Sequence, residues 1–157
     1  MSRTIEITLT PIARDGSIRV ANGARSELLS AVIEATVALY AREGFQPPWI
    51  GYIALQDEQP VGTCGFKSTP RDGRVELAYF TFPDFERRGI ATAMAKALVE
   101  LSVARDANIA VAAQTLPERN ASHRVLEKLG FRHVATLEHP EDGTVWEWLA
   151  ERPGATR

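Results

Sequence analysis

The feature that most constrains this chain is an apolar stretch that runs into a basic glycine turn and then into a helix-forming segment. Residues 75–82 are apolar or aromatic at all but two positions, which is typical of a buried strand. Residues 87–89 read Arg-Arg-Gly, and from Ile90 onward Ala, Met, Leu and Lys favour a helix. Free N–H groups and the helix dipole make such a helix start an anion site. The pattern therefore indicates a phosphate-sized anion site, with a solvated turn as the alternative.

Composition narrows the class of protein. A chain of 157 residues with a net charge of -2 suits one globular domain and lacks the broad basic surface that nucleic-acid binding needs. No apolar run reaches the roughly 20 residues that span a bilayer. The single cysteine, Cys64, excludes an internal disulfide, and we expect it to be a buried thiol and not a nucleophile. We expect a cytoplasmic protein without membrane or nucleic-acid partners.

Periodicity and turn residues predict a strand, a helix, a run of strands, a helix, a strand, a helix and two strands. Ser26 is expected to cap the first helix and Gly44 to end it. This order predicts an α/β fold, one domain over residues 1–151 built on a mixed sheet, with a frayed tail at 152–157. The remaining segments are strands at 5–9, 49–55, 61–66, 75–82, 109–113, 131–138 and 144–149, and helices at 90–105 and 120–129.

Two segments in this order resemble the GCN5-related N-acetyltransferase (GNAT) superfamily. Residues 86–91, Glu-Arg-Arg-Gly-Ile-Ala, resemble its pyrophosphate loop, written Gln/Arg-x-x-Gly-x-Gly/Ala. Residues 120–131 are similar to its later helix and Gly-Phe exit, in the form common among ribosomal-protein alanine acetyltransferases. The resemblance implies a mostly antiparallel sheet splayed between its two middle strands and flanked by three or four helices. It also implies an acetyl-CoA-dependent N-acetyltransferase that transfers the acetyl group directly to a primary amine, on a protein N-terminus or a small molecule.

The resemblance also implies where acetyl-CoA binds. The pantetheine arm is expected to pair with backbone groups of residues 80–82, and the pyrophosphate to rest on N–H groups of residues 87–92. Glu86 departs from the family pattern, and we expect it to face away from the pyrophosphate. Asn120 is expected to contact the cofactor arm or to cap its helix. The implied cofactor-binding residues are Phe80, Thr81, Phe82, Arg87, Arg88, Gly89, Ile90, Ala91, Thr92 and Asn120.

Two residues are candidates for catalysis. Glu76 interrupts an apolar strand and suits a general base that takes the proton of the amine, with a carboxylate ion-paired to Arg74 as the alternative. Leu126 stands where many relatives carry a tyrosine that protonates the leaving thiolate, so Ser122 is the implied substitute. The alternative for Ser122 is a helix-start residue that bonds its own backbone. We expect a solvated His123 and no metal site, since no pair among His123, His133 and His139 has zinc-ligand spacing together with a third ligand.

Other interpretations stay open at this level. A rival to the enzyme is a CoA-binding sensor or partner module with little transferase activity, and a third interpretation is an α/β domain that binds another phosphate. The acceptor amine and the choice between monomer and homodimer are not specified by any motif. Aromatic candidates for the acceptor side, of which Tyr79 lies on the cofactor strand, are Tyr40, Trp49, Tyr79, Trp146 and Trp148.

Overall fold

The computed structural model describes residues 5–20, 26–141 and 143–150. Its element order agrees with the predicted one, whereas the tail at 152–157 lies outside the described residues. A short 3₁₀ turn, Pro83–Phe85, was not predicted. The strands and helices are β1 Thr8–Pro11, α1 Glu27–Glu43, β2 Gly51–Gln56, β3 Gln59–Phe66, β4 Arg74–Thr81, α2 Ile90–Arg105, β5 Ala110–Thr115, α3 Ala121–Lys128, β6 Phe131–His139 and β7 Gly143–Ala150.

Helix α1 begins and ends as its sequence predicts. The Ser26 hydroxyl accepts a hydrogen bond from the backbone N–H of Leu29 at 3.0 Å, which satisfies one of the free donors of the first turn. Gly44 ends the helix with a positive φ of 99°, and its N–H donates to the Tyr40 carbonyl at 2.9 Å. The side chain of Tyr40 is buried, so this helix is held firmly against the sheet.

The strands of the described residues form one seven-stranded sheet in the order β1-β2-β3-β4-β5-β7-β6. The β2–β3 hairpin turns through two residues, Asp57 and Glu58, which both adopt positive φ values of 51° and 66°. This tight turn places Pro60 inside β3, although the sequence suggested a five-residue connection. The first strand was also predicted too early, because it pairs with β2 only from Thr8 to Pro11.

The sheet parts between β4 and β5, its two middle strands. These strands are parallel, and their register runs only from Arg74 opposite Ala110 to Glu76 opposite Ala112. Beyond Glu76, strand β4 continues to Thr81 in register with β3. Strand β5 meanwhile continues in register with β7. The expected splay is therefore present, and it begins at Glu76.

Helix α2 covers one side of the parting strands. Helical spacing of apolar residues in the sequence predicts a buried face formed by Ile90, Met94, Ala97, Leu98 and Leu101. Of these, Ile90, Met94 and Leu98 are buried. Ala97 and Leu101 are only half-buried, whereas Ala95 and Ser102 are buried, so the buried face is rotated from the predicted one. The rotation arises because α2 packs on β3, β4 and α3 together, which sequence periodicity does not specify.

Candidate functional site

A groove of about 670 Å³ opens where β4 and β5 part. One wall is the end of β4, one end is the glycine turn with the start of α2, and the other wall is α3. The groove combines an apolar strand, a basic turn and a helix start, which suits a long ligand with an anionic end. The residues that line it are Tyr79, Phe80, Thr81, Glu86, Arg87, Gly89, Ile90, Ala91, Thr92, Ala121, Ser122, Arg124, Val125 and Lys128.

The turn end of the groove presents unpaired backbone donors. Gly89 is the N-cap of α2 in the left-handed conformation, with a φ of 83° and a ψ of 8°, and no side chain caps the helix. The first turn of any α-helix leaves N–H groups without intrahelical partners, and here the Ala93 N–H bonds the Gly89 carbonyl at 3.0 Å. The N–H groups of residues 90–92 therefore stay available to an anion.

Side-chain charge at the groove is mostly positive. Arg87, itself at a positive φ of 67°, lies on the turn, while Arg124 and Lys128 lie one turn apart on α3. Glu86 also lines the groove, contrary to the expectation that it faces away. The side chain of Arg88 is not among the lining residues, because its guanidinium lies 5.4 Å above the centre of the Phe85 ring.

Phe82 does not offer its backbone to the groove. Its N–H donates to the Val61 carbonyl at 2.9 Å, and its carbonyl accepts from the Phe85 N–H at 2.8 Å. The side chain of Phe82 is also buried, with 5% of its surface exposed. The Phe82 N–H is therefore not free to pair with a cofactor arm, and the Phe82 carbonyl already accepts one hydrogen bond within the fold.

The pairing of β4 with β3 also determines where the backbone N–H and carbonyl groups of residues 79–81 point. Alternate residues of an antiparallel strand direct both groups toward the partner strand. The N–H of Phe82 is bonded to β3, and Phe80 lies two residues before Phe82 and opposite Thr63. The backbone N–H and carbonyl of Phe80 therefore also face β3. Tyr79 and Thr81 then face the gap between β4 and β5. The expected strand-like pairing remains possible at Thr81 and moves from Phe80 to Tyr79.

Glu76 lies at the point where the strands part and is engaged in an ion pair. Its Oε2 is 2.5 Å from Lys67 Nζ, and 22% of the Glu76 side chain is exposed. The alternative interpretation named Arg74 as the partner, but Arg74 pairs with Glu147 on β7. An ion pair of a partly exposed carboxylate is compatible both with a structural role and with a base oriented by Lys67.

A second, apolar pocket of about 190 Å³ lies on the side of the sheet that α1 covers. Thr36 and Leu39 of α1 form one wall, and residues of β3 and β4 form the others. Lys67, the partner of Glu76, also lines it. Tyr79 and Phe80 line both this pocket and the groove, so β4 separates two cavities by the thickness of one strand.

Helix α3 brings Ser122 to the groove, as predicted, and positions Asn120 outside its lining. The Asn120 side chain caps the helix by accepting from the His123 N–H at 3.2 Å. Leu126 is fully buried in the core. The Ser122 carbonyl lies 3.5 Å from the Tyr79 hydroxyl, so a side chain of β4 reaches across the gap to α3.

His123 is buried, with 4% of its surface exposed, and the predicted solvated position is wrong. Its ring packs edge-on against Trp148 with the ring centres 4.9 Å apart, and its Nε2 lies 3.0 Å from Glu127 Oε2. The sequence signal was its spacing of three residues from the buried Leu126, which places both on one helix face. Cys64 is buried as predicted, and burial raises the pKa of its thiol, which disfavours the nucleophilic thiolate.

The sequence did not identify Arg124 and Lys128 as groove residues, although two cations four residues apart on one helix were visible. Their direction depends on how α3 packs beside α2. Among residues 5–20, 26–141 and 143–150, no three His, Cys, Asp or Glu side chains are placed to hold a metal ion. In the same ranges, no helix has the length and apolar character that crossing a membrane requires.

Comparison with known families gives one match over most of the chain. The model of the acetyltransferase (GNAT) domain matches residues 20–132. A curated relative, N-acetylaspartate synthetase of Homo sapiens, is 30% identical over 89 residues, which is 56% of this chain and 29% of that protein. The chain therefore spans about a third of the length of the curated relatives that it matches.

Two solved structures share the fold. RimL, a ribosomal L7/L12 alpha-N-protein acetyltransferase, superposes with a TM-score of 0.67 at 14% identity, covering 95% of this chain and 96% of RimL. The aminoglycoside acetyltransferase AAC(6')-Ib, solved with acetyl-CoA, superposes with a TM-score of 0.62 at 24% identity over 85% of this chain and 79% of its own. At these identities the likeness shows the fold.

Proposed function

This chain belongs to the GNAT acetyltransferase family, and on that premise we propose that it is an acetyl-CoA-dependent N-acetyltransferase acting directly on a primary amine. The observation that carries the proposal is the groove between the parted β4 and β5, which ends on the uncapped start of α2. An open strand edge and a free helix start are what a pantetheine arm and a pyrophosphate require.

We propose that the turn end of the groove holds the pyrophosphate. The N–H groups of residues 90–92 donate to it, and Gly89 lets the backbone approach because it has no Cβ. Arg87, Arg124 and Lys128 balance the phosphate charge, which Glu86 opposes. The arm then runs along β4 toward Glu76 and bonds the outward backbone groups of Tyr79 and Thr81.

Glu76 is proposed as the base that takes a proton from the attacking amine, directly or through one water molecule. It lies where the strands part, so an arm that follows β4 from the turn brings its acyl end toward this residue. Lys67 would orient the carboxylate by its ion pair. The proton moves from the amine nitrogen to Glu76 Oε2 as the bond between nitrogen and the acyl carbon forms.

The acceptor is proposed to reach the acyl group from the side of the apolar pocket, since β4 alone separates that pocket from the groove. Acceptors to test come from the relatives: an L7/L12-type protein N-terminus, aminoglycosides and aspartate. We also propose that the protein is cytoplasmic, that it is a monomer or homodimer, and that residues 1–151 form one domain. The net charge of -2 supports the absence of a nucleic-acid partner.

A CoA-binding module with little transferase activity is the second candidate. The ion pair between Glu76 and Lys67 favours it, because pairing with Lys67 competes with the transfer of a proton from an amine to this carboxylate. Under this alternative, acetyl-CoA binds the groove with the same contacts, but no amine is acetylated.

The test combines binding with turnover. Acetyl-CoA is titrated calorimetrically into the protein, and acceptor-dependent release of CoA thiol is then measured over the amine panel. We expect Glu76→Gln to lower turnover about 10²-fold, the scale of general base catalysis, with acetyl-CoA affinity retained. Glu86→Gln is the matched control, because it makes the same chemical change at the phosphate end and should keep turnover.

The outcomes separate the candidates. Binding without turnover over the whole panel supports the CoA-binding module. A wild-type protein that does not bind acetyl-CoA refutes both. If Glu76→Gln weakens binding and leaves turnover unchanged, the assignment of the base is wrong.

A further inference from the structure

Tyr79 and Phe80 are the two described residues that line both the groove and the apolar pocket. Of these two, only Tyr79 carries a polar side-chain atom. Its hydroxyl extends across the gap and lies 3.5 Å from the Ser122 carbonyl oxygen. A hydroxyl proton therefore stands in the gap, three residues beyond Glu76 on the same strand.

The contact with Ser122 is long for a hydrogen bond between oxygens, whose usual length is about 2.7–2.8 Å. A proton held this loosely can turn to a better acceptor that enters the groove. The acceptor of this contact is the Ser122 backbone carbonyl, and the Ser122 side chain also lies within hydrogen-bonding reach of the Tyr79 hydroxyl. Tyr79→Phe and Ser122→Ala each remove one of the two hydroxyl groups, so their roles can be tested separately.

We propose, on the basis of the proposed function, that the Tyr79 hydroxyl donates a hydrogen bond to the sulfur that leaves when the acetyl group is transferred. An arm that runs along β4 from the turn passes Thr81 and then Tyr79 before its acyl end reaches Glu76. The sulfur precedes the acyl carbon on that arm. It consequently passes the side chain of Tyr79 when the carbonyl carbon is close to Glu76.

The Tyr79 phenol is suited to donate a hydrogen bond to the leaving thiolate, but not to transfer its proton completely. Burial raises the pKa of Tyr79 to about 12, so the phenol keeps its proton throughout the neutral range. A thiol of ordinary pKa, about 8.5, yields a thiolate that does not remove a proton from such a phenol. The hydroxyl stabilises the developing negative charge while keeping its proton, as donors of an oxyanion site do.

Acetyl transfer by this route conserves atoms, electron pairs and protons. The amine lone pair forms the C–N bond, and the pair of the C–S bond leaves with sulfur as a thiolate that accepts the Tyr79 hydrogen bond. The extra proton on nitrogen goes to Glu76, and the thiolate gains a proton from solvent after release. No oxidant, reductant or metal takes part in this exchange.

The experiment compares Tyr79→Phe with Ser122→Ala in the wild-type chain, using acetyl-CoA and the best acceptor of the panel. Tyr79→Phe keeps the aromatic ring and removes only the hydroxyl, and Ser122→Ala keeps the backbone carbonyl. We expect Tyr79→Phe to lower kcat about 10²-fold, the cost of one oxyanion donor, with the Kd for acetyl-CoA within a factor of about two. Ser122→Ala tests the rival donor: we expect it to lower kcat less than Tyr79→Phe does, and a larger loss would assign the donor role to Ser122.

An acetyl donor with a different leaving atom tests the interaction of Tyr79 with the leaving group by itself. An acetyl donor with selenium in place of the thioester sulfur releases a less basic anion that needs less stabilisation. The defect of Tyr79→Phe should shrink with this donor, measured as acetylated acceptor by mass spectrometry. A defect of equal size with both donors, or Tyr79→Phe with wild-type turnover, overturns the role of Tyr79 alone. A wild-type protein that acetylates no amine overturns the proposed function as well.

Discussion

Replacing Gly89 by glutamate tests the anion site with a magnitude that the structure supplies. Gly89 has a φ of 83° and a ψ of 8°, and a residue with a Cβ loses roughly 1–2 kcal/mol in this left-handed region. A Cβ there would lie 3.1 Å from Ile5 Cγ1, so the half-buried Ile5 side chain must shift by a few tenths of an ångström, and the backbone penalty is the lower bound of the loss. For a chain of this size, about 1–2 kcal/mol corresponds to a fall in Tm of about 2–8 °C.

The loss of acetyl-CoA affinity is larger than the loss of stability. A carboxylate about 6 Å from one phosphate charge, at an effective dielectric constant of about 20, costs about 3 kcal/mol. That energy corresponds to a roughly 100-fold increase in Kd. The new side chain also competes for the N–H groups at the start of α2 that the phosphate needs.

Gly73→Glu is the matched control. Gly73 is also exposed, has a positive φ of 72°, and has no atom within 4 Å of a built Cβ. The same backbone penalty applies there, but the groove is elsewhere. Both variants are measured by thermal unfolding and by calorimetric titration of acetyl-CoA. If the two lose similar stability and both bind acetyl-CoA like the wild type, Gly89 does not face the pyrophosphate and the reasoning fails.

Three further predictions concern stability and charge. Tyr40→Phe should lower the free energy of unfolding in urea by about 1–3 kcal/mol, because the buried hydroxyl donates to the Ile12 carbonyl at 2.8 Å and accepts a backbone N–H of β2; an unchanged midpoint would contradict this. Burial raises the pKa of Tyr52 and Tyr79 to about 12, above the unfolded value of about 10, so the folded state binds more protons between pH 10 and 12. Stability should therefore fall by up to about 1.4 kcal/mol per pH unit for each tyrosine in that window, and Tyr52→Phe should flatten the slope measured by urea unfolding at each pH. Arg124→Gln should weaken acetyl-CoA binding about threefold to tenfold at low salt and less at high salt, and a loss that salt does not change would argue against a phosphate contact.

Local signals of the sequence located much of the fold and one end of the site. Ser26 and Gly44 marked the ends of α1, because capping depends on residues close in the chain. The glycine turn and the start of α2 were located to the residue for the same reason. The two-residue turn at Asp57-Glu58 was not, since neither residue is the glycine or asparagine that usually signals a positive φ.

The side-chain partners were determined by contacts between distant segments. Lys67 and not Arg74 pairs with Glu76, and Arg74 pairs with Glu147 across the sheet. Similarly, His123 has a polar sequence context but is buried, because its helix face packs on Trp148 of the last strand. These outcomes depend on which strands become neighbours, and a strand pair such as β5–β7 is not encoded by any short pattern.

By itself, the sequence determined the order of elements, the helix ends and the glycine turn before α2, because these depend on propensities and hydrogen bonds within a few residues. The tertiary structure decided where β4 leaves β5, and with it the groove, the outward backbone of Tyr79 and Thr81, and the cations of α3 that line the groove. The physical reason is that the direction of a backbone group in a sheet is set by the register with the neighbouring strand. That register is formed between residues that are far apart in the chain.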